Sequence, residues 1–232
     1  MPLSSQESPE PLTTLLAGAW FAGLPRGLQL EIVEAGTEVS YRRDEIITRQ
    51  GATSTGLYAV LDGLVAIGRW LDADDYVLIH VGQPALWFGE VPTICGLPAP
   101  VETRARTGVR LLHLRPEGVD RFCEQDPERF RLFARLAFER YALFVRLTAR
   151  LQHRSPEMQL RQRLIEIAGL HDVEHTNGGG FEWAISQADL ADIVGLSRQT
   201  VNRLLRRLER DGLVELSFKR IRVIDPSRLD VG

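Results

Sequence analysis

Between Thr37 and about Leu114 the chain runs in short apolar bursts closed by turn residues. EVSY, EIITR, GLYAVLDG, LVAIGRW, YVLIHVG, ETRART and VRLLHL are rich in β-branched and aromatic residues. Gly51, Gly56, Gly63, Gly82 and Gly89 punctuate them. Many short strands at near-even spacing predict a β-sandwich or barrel. Ahead of them LTTLLAGAW and LPRGLQLEIVEAG read as short helices. The first eleven residues, rich in Ser, Pro and Glu, read as a disordered tail.

The period then changes. Asp126 can cap a helix with Pro127 at its first position and Glu128 in its first turn. Along 126–153 the residues Phe130, Ala134, Ala137, Tyr141, Phe144, Thr148 and Leu151 recur at alternating spacings of four and three, the pattern of a coiled-coil seam. Phe133, Leu136, Leu143 and Leu147 form a second apolar row. A helix with two apolar faces must bury both. One is expected against the β-rich domain and the other against a second copy of the same helix. Ser155-Pro156-Glu157 starts a further helix reaching about Gly169. A polar, Gly-rich loop, 171–180, follows.

The sharpest pattern is SQADLADIVGLSRQTVNRLLRRLERDGLV, Ser186 to Val214. Ser186 and Asp189 have capping-box spacing, Gly195 permits a turn, and Ser197 caps a second helix that stops at Asp211-Gly212. Val201, Leu204, Leu205 and Leu208 share one face of it; Arg198, Gln199, Asn202, Arg203 and Arg206 share the other. This is a helix-turn-helix whose second helix can enter a DNA major groove with its N-terminal residues leading. LVELSFKRIRVI then reads as a two-stranded wing, with Lys219 and Arg220 at its turn as candidate phosphate contacts.

Charge supports that reading locally and not globally. The 232 residues carry 28 Lys and Arg against 31 Asp and Glu. Yet Ser197 to Arg222 holds eight basic and three acidic residues, the local excess that phosphate attraction requires. Two cysteines, Cys95 and Cys123, are too few for a disulfide scaffold or an iron–sulfur site. No apolar run is long enough to span a membrane and the N-terminus has no signal-peptide pattern. A cytoplasmic location is therefore expected. No P-loop, catalytic triad or metal set is evident, so an enzyme is not.

GLYAVLDGLVAI (Gly56–Ile67), WFGE (Trp87–Glu90) and VGLSRQTVNRLLRRLERDGLV (Val194–Val214) make the chain resemble the CRP/FNR family of bacterial transcription regulators over about residues 12–230. The resemblance implies an α+β chain. An N-terminal double-stranded β-helix (jelly-roll-like) effector domain over 12–125 would precede a dimerisation helix over 126–153. A C-terminal winged helix-turn-helix domain would fill 154–232. It makes the seam a homodimer interface and double-stranded DNA the partner, read as a near-palindrome with half-sites about 34 Å apart. It assigns base reading to Arg198, Gln199 and Arg203, and backbone contacts to Ser197 and Thr200. Asn202, Arg206, Lys219 and Arg220 are the further backbone candidates. RNA polymerase is the implied protein partner, with 171–180 as one candidate surface.

The same resemblance raises an effector question. Cyclic-nucleotide-binding relatives use a Gly-Glu pair on the ribose, and Gly89-Glu90 match it. They clamp the phosphate with an Arg about ten residues on, where this chain reads Leu97-Pro98-Ala99-Pro100-Val101. The helix positions that meet adenine become Phe144 and Val145, which cannot hydrogen-bond a base. A buried phosphate needs a cation. The expectation is therefore a pocket that does not bind cAMP, with Arg104 and Arg106 on a later strand, and no cofactor. The alternatives are a cyclic-nucleotide-responsive activator, or a sensor of haem or another small apolar ligand, with His80 and His113 as the histidines to test. His171 and His175 share a loop without an evident third ligand.

Overall fold

The structure is a computed structural model that describes residues 10–53, 55–150, 155–170 and 181–229, with side chains given except at 10, 140, 142–150, 166–170 and 226–227. Three short helices open it: α1 (Glu10–Leu15), α2 (Ala19–Ala22) and α3 (Arg26–Ala35). LTTLLAGAW is thus split rather than continuous. At the break, a Cβ on Gly18 would lie 2.8 Å from the Ala85 carbonyl oxygen, so the chain turns where it abuts the β-domain.

Eight strands follow: β1 (Thr37–Tyr41), β2 (Ile46–Thr48), β3 (Leu57–Asp62), β4 (Val65–Trp70), β5 (Tyr76–Gly82), β6 (Trp87–Phe88), β7 (Glu102–Ala105) and β8 (Val109–Leu114). They form two antiparallel sheets ordered β1-β8-β3-β6 and β2-β7-β4-β5. Alternation along β3 explains the layering. Tyr58 and Val60 join Ile47, Val65, Leu86, Phe88, Ala105, Val109 and Leu111 in an inner cluster. Leu57, Ala59 and Leu61 face a second cluster that contains the N-terminal helices.

Two helices missing from the sequence expectations flank this β-roll. They are α4 (Glu90–Ile94) and α5 (Pro116–Gln125). Pro116 followed by Glu117 is the same starting signal as Pro127 followed by Glu128. The long helix α6 (Pro127–Arg150) begins as expected, the Asp126 carboxylate accepting the Glu128 N–H at 3.0 Å. Its Phe133 and Leu136 are buried in the second cluster beside Trp20, Phe21, Trp87 and Phe122. Trp20 fixes the contact twice, packing on Trp87 edge-on at 5.2 Å and donating its indole N–H to the Leu132 carbonyl at 2.7 Å.

The C-terminal part comprises α7 (Pro156–Leu170), β9 (Phe181–Trp183), α8 (Gln187–Val194), α9 (Arg198–Arg210), β10 (Val214–Ser217), β11 (Arg220–Val223) and a short 3-10 turn, Pro226–Leu229. The wing is a three-stranded sheet, β10-β11-β9, rather than the expected pair. Phe181–Trp183 is too short to announce itself. It becomes a strand because Ile221 and Val223 offer a paired edge. This domain packs on the β-roll through β5. Val81 is buried in its core, Trp183 donates its indole N–H to the Val81 carbonyl at 3.1 Å, and Gln83 bridges Glu182 and Ala184.

Candidate nucleic-acid interface and effector cavity

Local capping sets the helix-turn-helix. The Ser186 hydroxyl accepts the Asp189 N–H at 3.1 Å and donates to its carboxylate at 2.7 Å. Gly195 closes α8 at φ 73°, a left-handed turn that a side chain would strain. Ser197 caps α9, accepting the Thr200 N–H at 3.2 Å, and its hydroxyl also meets the Thr200 hydroxyl at 2.9 Å. Val201, Leu204, Leu205 and Leu208 are buried, which turns Arg198, Gln199, Arg203 and Arg206 outward. These four line one broad groove with Gln187 and Ala188 of α8 and Leu216 of β10.

Ion pairing separates the arginines. Arg207 pairs with Glu157, Arg220 with Glu182, and Arg222 with Glu215. Among the described residues Arg198, Arg203 and Arg206 make no ion pair, so their charge stays available to an anion in the groove. Two expected backbone contacts are otherwise occupied. Asn202 donates its amide to the Gln187 side chain at 2.6 Å and so fixes α9 against α8. Arg220 is held by Glu182 of β9 because the third strand, invisible in the sequence pattern, brings that carboxylate alongside.

On α6, Phe130 and Tyr141 are exposed while Ala134 and Ala137 are half-buried. Phe138, 69% exposed, joins this face. The seam spacing missed it because it lies four residues from Ala134, one row aside. Phe144, Val145 and Thr148 lie on α6 but their side chains fall outside the described residues, as does Leu151.

A cavity of about 420 Å³ in the β-domain is lined by Gly89 and Glu90, by Trp87, Phe88, Val91 and Pro92, by Ala99, Pro100 and Val101, and by Ala137 and Tyr141 of α6. Gly89 holds φ 93°, and a Cβ there would meet the Gly56 carbonyl oxygen at 2.3 Å. The wall at 99–101, where a phosphate clamp would stand, is apolar. The later arginines face elsewhere. Arg104 pairs with the buried Glu102, and Arg106 pairs with Asp189 of α8. Among the described residues the cation lining the cavity is Arg163, delivered by α7 of the other domain, buried and donating to the Ile79 carbonyl. Nothing in the local sequence around Arg163 points there.

Both histidine candidates are packed. His80 lines the cavity and stacks on Trp183 at 5.9 Å. His113 stacks on Tyr58 at 4.3 Å and meets the Thr55 carbonyl oxygen at 2.8 Å. His171 and His175 lie outside the described residues. Burial, with Tyr41 adding to it, pushes the Tyr58 phenol up to about 12, so the Phe88–Tyr58–His113 stack behind the cavity carries no phenolate at neutral pH. Burial, then Asp120, pushes the Cys123 thiol up, making it a poor thiolate.

Comparison with known proteins agrees with this architecture. A profile described as a Crp-like helix-turn-helix domain matches residues 158–231, and one described as a cyclic nucleotide-binding domain matches 38–126. The chain is 23% identical over 212 residues to a CRP-like cAMP-activated global transcriptional regulator of Mycobacterium tuberculosis, covering 90% of this chain and 95% of that one. The structure of FixK2 from Bradyrhizobium japonicum superposes with a TM-score of 0.69 at 20% identity, over 84% of this chain and 95% of the other. A CRP/FNR-family regulator from Thermus thermophilus gives a TM-score of 0.57 at 24% identity, over 83% and 96%. A β-roll, a long helix and a helix-turn-helix with an outward basic face, in that order, define a transcription regulator. The chain belongs to the CRP/FNR family. No described helix is long and apolar enough to cross a membrane.

Proposed function

We propose that the protein is a cytoplasmic, homodimeric, sequence-specific DNA-binding regulator whose β-roll cavity does not take cAMP. The observation that carries the DNA reading is the outward face of α9, where Arg198, Gln199, Arg203 and Arg206 line one groove and the three arginines remain unpaired among the described residues. A guanidinium can bond guanine O6 and N7 together, so Arg198 and Arg203 are the base readers, and Gln199 suits adenine. Ser197, Thr200 and Arg206 border them as backbone contacts. Pairing of the exposed α6 faces would set two such helices one turn of DNA apart. RNA polymerase is the expected partner at the promoter.

The test is selection of bound duplexes from a random pool by the full chain, repeated with Arg203→Ala. A near-palindrome recovered by the first protein and lost by the second supports the reading. Equal, sequence-blind recovery by both sinks it.

The M. tuberculosis relative is by its name cAMP-activated, and that activity is the alternative here. The apolar wall at Ala99, Pro100 and Val101, where a phosphate clamp would stand, favours an uncharged, largely apolar occupant instead. Calorimetry with cAMP and cGMP separates the two, micromolar binding of either being the adverse result.

A further inference from the structure

One part of the β-domain cavity wall belongs to the other domain. Arg163 of α7 lines the cavity, buried, while it donates to the Ile79 carbonyl of β5. Helix α7 is firmly rooted behind it. Leu160 and Leu164 of α7 lie in one core with Val201, Leu205 and Leu208 of α9. Glu157, at the start of α7, pairs with Arg207 of α9 at 2.9 Å. A group that touches Arg163 therefore stands one packed helix away from the DNA-reading face.

Thr55 points independently into the same cavity. It lines the wall, and its hydroxyl oxygen is buried with no hydrogen-bond partner among the described residues. Its backbone is fixed on both sides. The Thr55 carbonyl meets the His113 ring at 2.8 Å, and Gly56 abuts Gly89 so closely that a Cβ there would lie 2.3 Å from the Gly56 oxygen. A buried hydroxyl without a partner is destabilising unless something else supplies one.

The two groups narrow the chemistry of an occupant. A guanidinium only donates, and a threonine hydroxyl can donate. An occupant that dries the cavity takes water from both, and a plain hydrocarbon offers nothing in return. A carbonyl oxygen accepts from either. An anion gains from Arg163 but also meets the carboxylate of Glu90, which lines the same cavity.

We propose that the occupant is an uncharged, apolar-bodied molecule with a carbonyl-type acceptor (ketone, ester, lactone or amide), held by Arg163 and Thr55 so that it bridges the β-domain and α7. This rests on the reading of the cavity as a site for an uncharged, largely apolar molecule. The test is calorimetry on the full chain with three matched probes: benzophenone, its hydrocarbon counterpart diphenylmethane, and the anion diphenylacetate. The parent is expected to bind the ketone more tightly than the hydrocarbon, although the hydrocarbon is the more hydrophobic. The ratio of those two affinities is expected to fall about tenfold in Arg163→Met and about threefold in Thr55→Val. Thr55→Val should also raise the melting temperature of the empty protein, because it removes the unpartnered hydroxyl. It leaves the domain contact intact and carries the test by itself should Arg163→Met not fold. Bound ketone is expected to slow amide exchange in α7 as well as β5 in the parent, and in β5 alone in Arg163→Met.

An affinity ratio that neither variant changes overturns the proposal, as does tighter binding of the hydrocarbon by the parent. Both results leave the uncharged, apolar occupant standing. Unslowed exchange in α7 with the ketone bound overturns the bridge. Tighter binding of diphenylacetate than of the ketone, or no saturable binding of ketone and hydrocarbon alike, overturns the underlying reading and the proposal with it.

Discussion

Gly89 sits where the cavity mouth, a left-handed turn and the backbone of Gly56 coincide. Gly89→Ala is expected to cost at least ~1–2 kcal/mol for the left-handed backbone alone, with more from the clash. That is a fall of roughly 2–4 °C per kcal/mol in a chain of this size, measurable by thermal denaturation. An unchanged melting temperature would show that the turn relaxes freely. Gln199 is a second single-residue test. A glutamate accepts only, and prefers the cytosine amine, whereas glutamine donates as well. Gln199→Glu should therefore move base preference at one pair of each half-site by about 1–3 kcal/mol, read from the selected sequences. Both positions are legible in the sequence, Gly89 from its place before Glu90 and Gln199 from its place after the Ser197 cap. The role of Asn202 is not, because its partner Gln187 lies on another helix.

At the scale of elements, α6 carries the assembly argument. Its period assigns Phe133 and Leu136 to one face and Phe130 and Tyr141 to the other, and burial follows that division. Phe130, Phe138 and Tyr141 leave three aromatic rings in water on one helix face, an arrangement that association would relieve. Tyr141→Asp combined with Phe138→Asp is predicted to shift sedimentation from dimer to monomer without loss of helical signal. A parent chain that sediments as a monomer would contradict the seam. The same element shows where period reading stops. A 3.5-residue seam fixes a line and not the width of the stripe, so it passes over Phe138. In α4, five residues hold too few turns to show any period at all.

The whole molecule adds a connection between cavity and DNA-reading domain. Strand β5 supplies Ile79 and His80 to the cavity wall and Val81 to the core of the other domain. Arg163 and Trp183 return hydrogen bonds to β5, and Arg106 pairs with Asp189 at the start of α8. The cavity wall thus shares a strand with the contacts that hold α7 and β9. Arg106→Ala is predicted to speed amide exchange in β5 and α8 together, by about fivefold for a pair worth roughly 1 kcal/mol near the surface. Unchanged exchange would mean that the Trp183–Val81 contact alone holds the domains.

Apart from α4, α5 and β9, the sequence by itself determined the elements, their order, the capped helix-turn-helix and the outward basic face of α9. All of these follow from residues within a few positions of each other: a cap and the amide it accepts, an apolar stripe and its period. Only the tertiary structure decided how the charges are spent. Arg106 meets Asp189 across 83 residues, Arg163 reaches Ile79 across 84, and Arg220 meets Glu182 across 38. Those pairings bring a cation into a cavity whose own loop has none. Local signals encode backbone conformation, which is a short-range property. Which charge neutralises which is set by where the folded chain brings them together, and no spacing in the sequence records that.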